Sequence, residues 1–137
     1  METMMESVDV KAAEPLAAVR SYIHAFERLE PETILPYYDE PCLITSPEGS
    51  VALPTHTDVK ALFERSMGDL RKQGYAASEF RQLEETRLGQ TLAMVTGRGI
   101  WRKADGTELR RFGAVYILRR TNDAWRIAVA AFHEDVP

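Results

Sequence analysis

Residues 107–133 read TELRRFGAVYILRRTNDAWRIAVAAFH, and the period of this stretch decides the fold. Two extended runs flank a polar break at Thr121-Asn122-Asp123. The first alternates Phe112, Ala114, Tyr116 and Leu118 against Gly113, Val115 and Ile117. The second alternates Trp125, Ile127 and Val129 against Ala128, Ala130 and Phe132. A side-chain period of two marks β-strands. Both faces of these strands are apolar, and strands of that kind are covered on both sides. Helices supply one cover. The chain offers no spare segment for the other, so a homodimer through the sheet face is expected.

The pattern extends upstream. The strand from Thr91 to Lys103 sets Leu92, Met94 and Ile100 on one face, and Ala93, Val95 and Trp101 on the other with Gly97 and Gly99 beside them. Lys103-Ala104-Asp105-Gly106 joins it to the next strand, because Asp-Gly tolerates the positive φ of a hairpin turn. An earlier strand, Ala77 to Leu88, alternates imperfectly and predicts a bulge or an edge. Before it lies a helix whose inner stripe is Val59, Leu62, Phe63, Ser66, Met67 and Leu70, with Thr57 as expected N-cap and Gly74 as left-handed C-cap. Cys42–Ser46 and Ser50–Leu53 form a short hairpin about Pro47-Glu48-Gly49. A first helix starts at Pro15 and carries Leu16, Val19, Ile23 and Phe26 on one stripe, flanked by Ala18 and Tyr22. Glu30-Pro31 breaks it and opens a short second helix around Ile34 and Leu35, which Pro36 and Pro41 stop. The order predicts an α+β domain.

A chain of 137 residues is long enough to bury one core. Its formal charge of −4, from 17 basic and 21 acidic side chains, excludes a general nucleic-acid or anionic-membrane binder, which needs a net basic face. The single cysteine, Cys42, forms no internal disulfide. The first residues lack the basic and apolar regions of a secretory signal, and no run is long and apolar enough to span a bilayer. A soluble, cytoplasmic protein is expected, with residues 1–12 as a loose tail and 13–137 as one domain. His24, His56 and His133 lack metal-ligand spacing, so neither metal nor cofactor is expected.

Three strings carry a family resemblance: AVRSYIHAFERLEPETILPYYDEPCLITSPEG, THTDVKALFERSM and DAWRIAVAAFHED. Their order and spacing, from about Glu14 to Asp135, resemble the nuclear transport factor 2-like superfamily, which includes SnoaL-like polyketide cyclases and ketosteroid isomerases. The resemblance implies a cystatin-like fold: a curved antiparallel sheet wrapped around three N-terminal helices, forming a cone with an internal pocket. It sets Tyr22 on the tyrosine that holds the enolate oxygen in the isomerases. Their base carboxylate falls on Ser46, an alcohol that cannot take the proton at neutral pH. Their second acid falls near Val115, which has no proton to give. Tyr38 lies where relatives close one end of the cone.

Three functions follow. The first is a small-molecule-binding domain of SnoaL-like type, without a complete catalytic set, holding a small apolar or aromatic ligand with Ser46, Tyr38, Trp101, Tyr116 and Phe132. The second is an isomerase, cyclase or dehydratase in which His133 acts as acid or base and Tyr22 donates to a carbonyl. This reading needs His133 to share a pocket face with Trp125, Ile127 and Val129. The third is a protein-interaction domain whose cone is filled by side chains. Arg98 and Arg111 either hold an anionic group or pair with Glu79, Glu84 or Glu108. Arg110, Arg119, Arg120 and Arg126 read as outward positions.

Overall fold

Pro15 opens the first helix at the position where a missing backbone amide costs nothing. A computed structural model describes residues 14–135; the expected N-terminal tail lies outside them. Helix α1 spans Pro15–Phe26 and buries Ala18, Val19, Tyr22 and Phe26. Its stripe is therefore centred on Tyr22 rather than on Leu16 and Ile23, which are only partly buried. Its ends are held by carboxylates and amides of the sheet: the Leu16 amide donates to Glu85 Oε1 at 2.9 Å, and the Ser78 amide to Glu27 Oε2 at 2.8 Å.

The second helix, Pro31–Tyr37, is a 3-10 helix. Pro36 lies inside it and removes the amide that would extend an α-helix. Strand β1 covers Tyr38–Ser46 and β2 covers Gly49–Leu53. β1 thus begins four residues before Cys42 and runs through Pro41. Helix α2 spans His56–Gln73. Its N-cap is Thr55 and not Thr57. The reason is the capping box: Thr55 accepts from the Asp58 amide while Asp58 accepts from the Thr55 amide at 3.1 Å. Gly74 closes α2 at φ 89°, the left-handed cap expected there.

The rest is a meander of β3 (Tyr75–Arg87), β4 (Leu92–Lys103), β5 (Glu108–Thr121) and β6 (Ala124–His133). All six strands form one sheet in the order β2-β1-β6-β5-β4-β3. Every pairing is antiparallel except β1 with β6, which run parallel. The sheet is thus mixed where an antiparallel one was expected. β1 and β6 lie at opposite ends of the chain, and a long crossover is what parallel neighbours require. β3 is both an edge and bulged, with Gln82 at φ 57° between Arg81 and Glu84. Bulges bend the strands that carry them, and the sheet curves.

A second bulge overturns an expectation. Leu118 pairs with Ile127, but Ile117 pairs with Val129, so Ala128 is extra on β6. The alternation changes phase there. The inner face of β6 is Trp125, Ile127, Ala130 and Phe132, opposite the buried Leu118, Tyr116 and Ala114. Val129, Ala131 and His133 fall on the outer face with Ile117, Val115 and Gly113. His133 does not share a face with Trp125 and Ile127.

Between the helices and this inner face, Val19, Ile34, Val59 and Leu118 have no exposed surface. Each such side chain contributes about 1.5–3 kcal/mol by leaving water. Asp39 is also buried. The Arg119 guanidinium, on the outer side as expected, answers it at 3.0 Å.

Candidate functional site

The wide end of the sheet leaves a hollow of about 770 Å³ between α2, the β1–β2 turn and the starts and ends of β4, β5 and β6. Its deep wall is aromatic. Phe26 stacks on Trp101 with centroids 6.1 Å apart and planes at 11°, and Trp101 meets Phe112 edge-on at 4.9 Å. Phe132 meets Phe112 at 5.8 Å. Glycine makes this wall possible: a Cβ at Gly99 would stand 2.5 Å from the Phe112 ring, so the ring lies across β4 only because Gly99 has none. The same rings, with Tyr116 and Phe80, line a smaller niche of about 30 Å³. That is room enough for water.

Three phenols crowd behind this wall. The Tyr22 and Tyr38 hydroxyls share a hydrogen bond of 2.7 Å. The Tyr116 ring packs edge-on to Tyr22 at 5.9 Å, and its hydroxyl has no hydrogen-bond partner among the described residues. Burial pushes all three phenols well above the ordinary tyrosine range. Burial likewise pushes Tyr75, near the niche, up to about 12. The cluster therefore consists of neutral hydroxyl donors at physiological pH.

The sequence-derived candidates divide. Trp101, Phe132 and Tyr22 line the hollow, and Tyr116 lines the niche. Ser46 stands at the mouth, its Oγ accepting the Glu48 amide at 3.3 Å. Tyr38 has no exposed surface and lines neither space; it supports Tyr22 from behind. His133 ends β6 at the rim and borders the hollow there. Its ring lies against Gly113 on the outer side, where a Cβ would overlap it, and its Nδ1 meets the Glu134 carbonyl at 2.8 Å. Val115 is on the outer face, and the inward residue beside it on β5 is Tyr116.

The arginines also divide. Arg111 is held by Glu108 at 2.6 Å, as one of the two readings expected. Arg98 pairs instead with Asp135 at 3.2 Å. Arg110, read as outward, lines the mouth and pairs in register with Trp101. The signal was present: counting back by two from Phe112 and Ala114 reaches Arg110, and only its charge argued otherwise. Among the described residues, no three His, Cys, Asp or Glu side chains group as metal ligands, and no helix is long and apolar enough to cross a membrane.

No curated protein matches the chain. Solved structures do. An NTF2-like protein of unknown function from Shewanella oneidensis is 18% identical, covering 85% of this chain and 93% of its own, with a TM-score of 0.67. An NTF2-like protein with a cystatin-like fold from Novosphingobium aromaticivorans is 17% identical, covering 85% and 76%, with a TM-score of 0.69. A ketosteroid isomerase-like protein from Erwinia carotovora atroseptica is 17% identical, covering 90% and 95%, with a TM-score of 0.65. At such identities the likeness establishes the fold, which is cystatin-like and α+β. Residues 14–135 match the family described as NTF2-like protein (DUF6841), and the chain belongs to that family.

Proposed function

We propose that this protein is a small-molecule-binding domain of SnoaL-like type, whose apolar or aromatic ligand enters the cone through the mouth between α2 and the β1–β2 turn. The observation that carries this reading is the hollow of about 770 Å³ walled by Phe26, Trp101, Phe112 and Phe132. Its size falls in the range of sites that enclose small ligands, roughly 300–1,000 Å³. Because these aromatics line the hollow instead of filling it, a filled interaction domain has less support. The ketosteroid isomerase-like relative suggests the enzymatic reading, with His133 as acid or base and Tyr22 as donor. That reading needs both groups on one ligand; Tyr22 and His133 both border the hollow, but the His133 ring leans over Gly113 at the outer side of the rim, which favours the binding reading.

Trp101 reports on the hollow, whereas Trp125 lies under Arg87 at the other end of the sheet. A flat polycyclic ketone or arene titrated into the protein is expected to quench Trp101 fluorescence with saturation. Trp101→Phe should abolish the quenching while Trp125 emission remains. Unsaturable quenching, equal in both proteins, would remove the ligand reading.

The outer face supports the homodimer. Leu43, Met94, Val115, Ile117 and Val129 are all only half-buried in the single chain, across four neighbouring strands. A contiguous apolar face of this kind belongs against a second surface. Light scattering is expected to give a dimer for the wild type. Ile117→Asp, which sets a charge at the centre of the face, is expected to give a folded monomer. A monomeric wild type would contradict the proposal.

A further inference from the structure

We infer that the ligand of this hollow carries an acid group, and that Arg110 binds it at the mouth. The inference rests on the hollow being a ligand site and adds the chemical class of the ligand. β5 turns Arg110 toward the same side as Phe112, directly across from Trp101 on β4. The guanidinium therefore stands at the entrance to an aromatic chamber. Guanidinium groups carry five N–H donors in a fork suited to carboxylate. Those of Arg110 are nearly unused. Its one ion pair among the described residues is with Glu48 at 3.8 Å, too long for a hydrogen bond, and both side chains are well exposed, at 54% and 70%.

Its neighbours are already engaged. Arg111 donates to Glu108 at 2.6 Å and Arg98 stands 3.2 Å from Asp135. The aromatic wall cannot hold a charge, because desolvating an unpaired ion costs far more than an apolar contact returns. An acid group must therefore stay at the entrance while the apolar body goes in. Asp69, Glu134 and Asp135 also border the mouth and oppose an anion. Asp69 and Glu134 are exposed to water, where solvent and salt weaken their field, and the charge of Asp135 is already answered by Arg98 at 3.2 Å. Direct bidentate contact with Arg110 is stronger than that screened repulsion. Glu48 is then the internal competitor for the same guanidinium.

The test compares three probes of one apolar body: naphthylacetic acid, naphthylacetamide and naphthylethylamine, titrated calorimetrically into the full-length protein. The acid is expected to bind about 10-fold tighter than the amide. Arg110→Gln should bring the acid down to the affinity of the amide without changing the affinity of the amide itself. Glu48→Gln should strengthen the acid alone. Arg110 is half-exposed, so an unchanged melting temperature will verify that the variant folds. An amine that binds tightest, or an acid-to-amide ratio that Arg110→Gln leaves unchanged, would overturn the acid inference while leaving the ligand site standing. Failure of all three probes to bind the wild type would overturn the site and the inference together.

Discussion

Tyr38→Ala is expected to cost about 3–5 kcal/mol of folding free energy, the range for emptying a buried aromatic site. Tyr38 has no exposed surface. Its ring meets Tyr22 edge-on at 5.4 Å and tilts against Phe63 at 5.7 Å, so it joins α1, α2 and the start of β1. A domain of this size has only about 5–15 kcal/mol in total, so the variant should sit close to unfolding in urea titrations. The hydroxyls allow a finer measurement. Tyr22→Phe leaves the Tyr38 hydroxyl buried without its 2.7 Å partner, at about 1–3 kcal/mol. Tyr38→Phe orphans the Tyr22 hydroxyl in turn, and Tyr22 is only 3% exposed, so a cost of the same order is expected. The double Phe variant buries no orphan and should return toward the wild type. Single costs that simply add in the double would show that the two hydroxyls do not depend on each other.

Gly99→Val is the second large effect, and its sign separates two forces. Valine favours strands by up to about 1 kcal/mol over glycine. Against that, its Cβ would stand 2.5 Å from the Phe112 ring, which is buried and held by Phe80, Trp101 and Phe132. Overpacking of this kind costs about 1–3 kcal/mol. A net loss of stability is expected, together with weaker probe binding, because the displaced ring is part of the wall of the hollow. In a double-mutant cycle, Gly99→Val should cost less in a Phe112→Ala background than in the wild type, because the ring that collides is gone. A Gly99→Val protein as stable as the wild type, with unchanged probe affinity, would refute this account of the wall.

Much of the architecture could be read from local pattern. Pro15, Gly74, Asp105-Gly106 and the alternations around Trp101 and Tyr116 each act over a few residues, and each lies where its own chemistry sends it. The N-cap was expected at Thr57, but Thr55 takes it because its hydroxyl lies three residues before Asp58. The misplaced face of His133 came from an event that leaves no local mark. Ala128 looks like any alanine in an alternating strand, yet one extra residue there moves Val129 and His133 to the opposite face. A register change inverts every residue beyond it.

By itself, the sequence determined the element order, the turn positions and the family, because these depend on short-range periodicity, capping and turn chemistry. Only the tertiary structure decided the parallel pairing of β1 with β6, which face of the sheet turns to the helices, the phase of the last strand, and the side of the sheet on which His133 stands. Those depend on how strands distant in sequence come into register. Register is fixed by the whole sheet packing against α1 and α2, and no single segment carries that information.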